Sequence, residues 1–377
     1  MSRPPQILHL SHDNQFLKPL SRAFELAAPG ASDYVVLAAE GEMRHSVAGR
    51  LTVVATAEQA RARVREMIRD FDALVVHYMF PAWAEIIPEI SKSVPVLWSG
   101  YGGDYYGTEP DGLLGDQTLA LVGRRPSREF TLSRILDARK RRRNERALQA
   151  AAASSTFFSA PVRADLAVFS SRYPEFVGDY VQLNYASVGP RELGRPGRIG
   201  ENILIGNSAT PTNNHLDVFS SFSTQQLQGQ KVFVPLSYGD TGYYRDAVIA
   251  AGRKAFGSDF HPLLEMLPPD EYGEIVKSCG YVAMGHLRQQ GLGNIIAALQ
   301  GGSTLLLERR NPVFHELSSL GFGIAALDSL QSQSLEDLKL SGSERESNLM
   351  SVYAEWGAER VQARLRDFLE RVATIAG

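Results

Sequence analysis

At 377 residues the chain is long for a single core and fits two domains of ordinary size. A net charge of −3 argues against bulk nucleic-acid binding, and the single cysteine, Cys279, allows neither an internal disulfide nor a cysteine-built metal site. No apolar run approaches the roughly 20 residues that span a bilayer. Residues 1–5 lead into a strand-like run with no signal-peptide core, so the expected place is the cytoplasm, with any membrane contact peripheral.

Short apolar strands are predicted at 7–10, 34–37, 73–77 and 94–98, and helices at 17–26, 57–69 and 81–90. This alternation predicts a parallel sheet covered on both faces, whose ligands sit beyond the C-terminal ends of the strands. Those ends carry His12 and Asp13, then His77 and Tyr78, then the loop Ser99 to Tyr106. In that loop three glycines accompany Asp104 and several tyrosines. Asp104 is the first candidate for a general base, although a carboxylate in a glycine loop also serves to hold the loop or cap the next element. His12 and His77 compete for the same task. Together with Asp13 and Tyr105 they form the candidate acceptor-binding set. Asp70 and Asp72 have metal-pair spacing but precede a strand, at the wrong end of the sheet, so no metal is expected.

Residues 124–146 are strongly cationic: Arg124, Arg125, Arg128, Arg134, Arg139, Lys140, Arg141, Arg142, Arg143 and Arg146 face only Glu129, Asp137 and Glu145. With Leu132, Ile135 and Leu136 on one side, the segment reads as a basic amphipathic helix for an anionic membrane surface, or else as a solvated helix face. Glycine, proline and arginine crowd residues 189–200, which has linker composition. The expected domains are 1–190, a linker 191–201, 202–350, and a helical tail 351–377 packing across both.

The second half repeats the alternation, with strands at 202–206, 231–235 and 263–267 and helices at 211–227, 244–252 and from Tyr272 to Cys279. Residues 281–311 then read as strand, polar loop, helix, glycine turn and strand. The helix opens after Gly291 and Gly293, and a helix start preceded by small residues offers free N–H groups and a positive dipole end to a phosphate. Arg288 adds a full charge, and Gln289, Gln290 and Asn294 add hydrogen bonds. Asn207 and Ser208 hold the equivalent place after the strand at 202–206. Tyr238 is the candidate for stacking a nucleobase, and Glu271 and Tyr272 for its ribose. The plain alternatives are a packed loop aromatic and a first-turn acid favoured by the helix dipole. The whole predicts a grip on the diphosphate of a sugar nucleotide.

The two sheet-containing halves resemble the glycosyltransferase type B architecture: two Rossmann-like α/β domains facing a cleft. More specifically, Ile203-Leu-Ile-Gly206-Asn207-Ser208, Asn214-His215, Val234-Pro235 with Tyr238, Arg288-Gln289-Gln290-Gly291 with Gly293, and Arg309 with Asn311-Pro312 resemble the bacterial 4-acetamido-4,6-dideoxygalactose transferases. Gly103-Asp104 and Tyr106 extend the likeness into the first half. The resemblance implies a dTDP-linked donor held by the second domain, and an acceptor held by the first. It also implies transfer to the lipid-linked glycan of enterobacterial common antigen, at the inner face of the bacterial inner membrane. Leaving-group charge would be met by the amides of 291–294 and of Asn207 and Ser208, with Arg288 and no metal. The competing expectations are a nucleotide-sugar epimerase of the same architecture, a transferase acting on a protein or soluble glycan, and a non-catalytic glycan-binding module.

Overall fold

The computed structural model describes residues 3–38, 42–107, 112–123, 133–183 and 200–377. Its contacts divide the chain into two compact units, one of residues 1–108, 129–190 and 356–377, the other of 109–128 and 191–355. The expected linker lies almost wholly outside the described residues.

In the first unit the order is β1 (Ile7–His12), α1 (Leu17–Ala27), β2 (Ser32–Leu37), β3 (Arg50–Val54), α2 (Ala57–Met67), β4 (Ala73–His77), α3 (Pro81–Ala84), α4 (Ile87–Ile90) and β5 (Val96–Ser99). The chain then visits the second unit with α5 (Asp116–Gly123) and returns as α6 (Ser133–Ser154), β6 (Phe157–Ser159), α7 (Asp165–Arg172) and β7 (Asp179–Tyr180). All seven strands are parallel, in the order β3-β2-β1-β4-β5-β6-β7. The strands buried on both faces are continuous apolar runs, as a covered parallel sheet requires. β3, which sequence patterning misses, is an edge strand whose Arg50 and Leu51 are exposed. α2 starts at a reciprocal cap in which the Thr56 hydroxyl accepts from the Gln59 N–H and the Gln59 side chain reaches back to the Thr56 N–H.

The second unit contains β8 (Asn202–Ile205), α8 (His215–Ser221), β9 (Val232–Pro235), α9 (Tyr243–Phe256), β10 (Phe260–Leu263), α10 (Pro269–Lys277), β11 (Cys279–Met284), α11 (Leu292–Gly301), β12 (Thr304–Leu307), α12 (Pro312–Ser319), β13 (Ala325–Ala326), α13 (Leu335–Leu338) and α14 (Gly342–Trp356, whose last residue groups with the first unit). Its parallel sheet runs β10-β9-β8-β11-β12-β13. The strand expected at 263–267 is displaced: Phe260–Leu263 pairs with β9, while Leu264 and Met266 are exposed. Pro262 obscures this strand in the sequence and is tolerated because β10 is an edge. α5 joins this unit through Asp217, whose carboxylate accepts from the Gln117 N–H at 2.9 Å and the Thr118 hydroxyl at 2.6 Å.

The tail expected from 351 is two helices. α14 runs to Trp356, and α15 (Ala358–Ala376) belongs to the first unit. Its buried stripe Val361, Leu365, Phe368, Leu369 and Val372 covers one face of that unit's sheet, with Phe368 edge-on to Phe24 of α1.

Candidate functional site

In a parallel sheet the ligand crevice opens where strand order reverses, because the loops of the two flanking strands leave toward opposite faces. That point lies between β8 and β11 in the second unit and between β1 and β4 in the first.

At the β8/β11 point the loops carry Asn207 and Ser208 on one side and His286 to Gly291 on the other. Gly291 caps α11 in the left-handed region (φ +68) and offers no capping side chain. A Cβ added at Gly293 would meet nothing within 4 Å. The first turn of α11 therefore keeps its amides clear of side-chain caps and open on one flank. Around it Gln290 donates from Nε2 to Asn207 Oδ1 at 3.2 Å, and its Oε1 accepts from Thr212 at 2.7 Å and from Arg288 Nε at 3.1 Å. Asn207 donates from Nδ2 to the Tyr238 hydroxyl at 3.2 Å, and Asn294 does the same to Tyr272 at 2.9 Å. Tyr238 is 46% exposed, so its ring face is open to a ligand. Asn207, Tyr238, Tyr272, Arg288, Gln290, Gly291, Gly293 and Asn294 are thus one cluster. Gln289 lies beside it with a buried side chain, and Glu271 sits exposed in the first turn of α10.

The expected contribution of the Asn207 amide is corrected. The Asn207 N–H donates to Asn213 Oδ1 at 2.8 Å, and the buried Ser208 hydroxyl is taken up by Asn213 and Thr210. Nor does a long helix start at 211. Pro211–Asn213 forms a 3₁₀ turn, Asn214 adopts φ +52, and α8 ends at Ser221. Arg309 pairs with Asp328 at 2.8 Å, and Asn311 caps α12 by accepting from the Val313 N–H, so these two residues of the resemblance serve the fold.

At the β1/β4 point three sequence candidates turn inward. The Asp104 carboxylate is buried and accepts from the Met79 N–H at 3.0 Å, Trp98 Nε1 at 2.8 Å and the Tyr101 N–H at 2.9 Å. Burial raises its pKa against the pull of those donors. It is the clasp of its loop, not a base aimed at a substrate. Tyr105 is fully buried with its hydroxyl on Asp165. His77 is fully buried, its Nε2 2.9 Å from His9 Nδ1, and burial lowers its pKa to about 3. The glycines of the loop make room for tyrosines: a Cβ at Gly100 would stand 2.6 Å from the Tyr105 ring, and one at Gly103 2.9 Å from the Tyr78 hydroxyl. Asp13 pins the 44–45 turn, accepting from the Arg44 N–H at 2.7 Å and lying 2.8 Å from His45 Nδ1.

His12 remains at the crevice, half-buried, with Tyr78 and Phe80 edge-on to its ring at 5.7 and 4.8 Å and Tyr101 and Phe16 beyond. Its Nδ1 is buried without a hydrogen-bond partner among the described residues. Burial lowers its pKa, with Asp13 opposing. Tyr78 is held at φ +61, a strained conformation for a residue with a Cβ. Sequence reading missed Phe80 and Phe16 as members of this aromatic wall and missed Asn213 and His286 in the second unit. His286 was detectable as the residue two beyond a predicted strand end, whereas nothing local marks Asn213.

Asp104→Asn places an NH₂ against an N–H donor in either amide orientation. The expected result is a stability loss of about 2–4 kcal/mol, seen as a lower Tm in calorimetry, with turnover at low temperature retained. An unchanged Tm with lost turnover would restore the base assignment.

A family model described as 4-alpha-L-fucosyltransferase, glycosyl transferase group 56, matches residues 164–345, just under half the chain. Solved structures share the fold end to end. Sucrose-phosphate synthase from Thermosynechococcus elongatus superposes with TM-score 0.66 at 10% identity, over 98% of this chain and 100% of that one. Trehalose 6-phosphate synthase from Burkholderia multivorans gives 0.62 at 11%, over 100% of each chain. Anabaena HepE, solved with UDP and glucose, gives 0.62 at 8%, over 97% of this chain and 100% of that one. The chain is a glycosyltransferase. Its two parallel-sheet domains are of the type B fold. Among the described residues of the transferase no helix is long and apolar enough to cross a membrane.

Proposed function

We propose that this transferase moves a 6-deoxygalactose-type sugar, 4-acetamido-4,6-dideoxygalactose in the sequence resemblance, from a dTDP-linked donor to a lipid-linked glycan without a metal ion. The observation that carries the donor half is the start of α11: a glycine cap at φ +68, an open flank at Gly293, and Arg288 three residues before the cap. Amide dipoles and a guanidinium fixed before the reaction stabilise a departing diphosphate at no reorganisation cost. Tyr238 offers its exposed ring to the base, and Asn294 and Tyr272 close the ribose side. Fucose, named in the matched model, is itself a 6-deoxygalactose, so model and resemblance agree on a donor with a methyl at C5. Anabaena HepE with UDP supports a nucleoside diphosphate in this fold.

In the first unit His12 takes the acceptor hydroxyl's proton, and Tyr78 and Phe80 pack against the acceptor sugar. The base role passes to His12 from Asp104, whose oxygens are committed to its own loop. For the lipid-linked acceptor the support is α6. Leu148, Ala151 and Ala152 seat its C-terminal half in the core, while Arg139, Lys140, Arg141, Arg142, Arg143 and Arg146 lie on its exposed part. Arg143 also pairs with Glu85 at 2.7 Å. The expected side chains of Leu132, Ile135 and Leu136, and those of Arg124, Arg125, Arg128 and Arg134, lie outside the described residues.

A thermal-shift panel tests the donor. At a hundredfold excess over Kd, dTDP is expected to add about 2.7 kcal/mol, or about 5–10 °C for a domain of this size, with UDP and GDP well below it. Equal shifts for all three, or none, would remove the dTDP assignment. Flotation with phosphatidylserine vesicles reads the membrane arm, and protein left at the bottom of the gradient would remove it.

A further inference from the structure

His286 lies in the loop between β11 and α11, fully buried, directly under the cap of α11: a Cβ at Gly291 would stand 3.4 Å from its Cε1. Its Nε2 is 2.9 Å from Asn213 Oδ1 and 3.1 Å from Asn207 Oδ1. The orientations of both amides follow from their other partners. Asn213 Oδ1 accepts the Asn207 N–H, and its Nδ2 donates to the Thr210 carbonyl at 3.1 Å. Asn207 Oδ1 accepts Gln290 Nε2, and its Nδ2 donates to Tyr238. Both atoms facing the imidazole are therefore acceptors, so Nε2 carries the ring proton. Burial lowers the ring pKa to about 3, the Arg288 charge pulling the same way, and the ring is neutral.

The other nitrogen, Nδ1, is then a bare lone pair, buried with no hydrogen-bond partner among the described residues. Such an atom costs stability. An apolar side chain would fill the place without that cost, so the imidazole is explained by its one N–H and by what that N–H holds. It holds the hub of the proposed donor site: Asn207 connects Tyr238 on the base side to Gln290, and Gln290 Oε1 receives Arg288 Nε.

We infer that His286 is a positioning residue for the donor, its Nε2–H fixing the Asn207 amide so that the nucleobase side and the diphosphate side of the site are set in register. The inference rests on the donor reading given above. Without that N–H the Asn207 Oδ1 keeps Gln290 Nε2 as its remaining donor, and the line from Tyr238 through Asn207 and Gln290 to Arg288 is held less firmly. Gln at this position reaches the same place with an N–H. Leu does not.

Calorimetric titration of the full chain with dTDP tests it. His286→Leu is expected to weaken dTDP about 10-fold to 30-fold, while His286→Gln stays within about threefold of the parent. In the Asn207→Ala background His286→Leu is expected to cost little further in dTDP affinity, since Asn207 Oδ1, the acceptor through which it reaches the donor site, is gone and only Asn213 Oδ1 remains to it. Tm of the unliganded variants is read alongside: a purely structural role would lower Tm without moving Kd well below it. Unchanged affinity for His286→Leu, or losses that add in the double variant, would overturn the inference. The imidazole ¹⁵N spectrum of the parent protein needs no substitution. The expected signals are those of an Nε2-protonated neutral ring down to pH 5, shifting on addition of dTDP; an Nδ1–H or doubly protonated ring, or signals indifferent to dTDP, would overturn it as well. If Asn207→Ala and Arg288→Ala both leave dTDP binding intact, the donor reading itself has failed. If they weaken it and His286→Leu does not, only the role of His286 is lost.

Discussion

His12→Ala is expected to lower kcat by about 100-fold to 10,000-fold, the usual range for removing a positioned general base, with dTDP affinity within twofold of the parent. The two readouts separate because His12 belongs to the first unit and the proposed donor contacts to the second. The pH profile carries the sign. The base acts in its neutral form, and burial sets the His12 pKa below the ordinary 6.5, with Asp13 opposing. As pH falls through that lowered pKa the imidazole charges and kcat/KM drops, so the acid limb of the profile is expected below pH 6.5 and is absent in the variant. A variant that keeps both turnover and acid limb would remove His12 from the chemistry. Tyr78 bears on the same measurement. Its left-handed backbone (φ +61) holds the phenol edge-on to the His12 ring, and backbone strain of this sort persists where the surrounding packing enforces it.

Arg288→Ala is the second large effect. Loss of one charged contact to a developing diphosphate is expected to cost about 100-fold in kcat/KM, most of it recovered neither by higher pH nor by added salt. Arg288→Lys is expected to recover only part. An ammonium supplies the charge but not the planar fork whose Nε hydrogen-bonds Gln290 at 3.1 Å. Steady-state kinetics with a dTDP-sugar, together with titration of dTDP alone, shows whether the loss falls on ground-state binding or on the transition state. Unchanged kinetics would mean that the guanidinium faces away from the reaction.

The two effects call on different physical terms. His12 needs a pKa near the working pH and access to a hydroxyl, whereas Arg288 needs a positive charge aimed by its guanidinium fork to where negative charge grows. Asp104 meets neither need: its carboxylate is enclosed by three N–H donors of its own unit. A carboxylate so satisfied has its proton affinity set by burial and loop geometry, and its removal is expected to register as stability.

The amino-acid sequence by itself determined the fold class, most strand positions and the strand ends where ligands sit. Apolar runs such as Ala73–His77 and Cys279–Met284 are buried on both faces, so their pattern needs no knowledge of neighbours. It also marked the glycine-opened start of α11, because backbone freedom is a property of the residue itself. The edge strands were less legible. Arg50–Val54 shows one wet side, and Phe260–Leu263 contains a proline that only an outer strand accepts. The direction in which each polar side chain faces was decided by tertiary structure alone. Asp104, His77 and Tyr105 stand at or just beyond strand ends, as chemistry would demand, yet they point into the core, where other strands and loops supply their partners. Asn213 meets Asn207 within one loop, six residues apart, but His286 reaches the Asn207 hub only when β8 and β11 become neighbours, 73 and 79 positions separating it from Asn213 and Asn207. Burial, and partnership with residues far along the chain, are properties that no local pattern encodes.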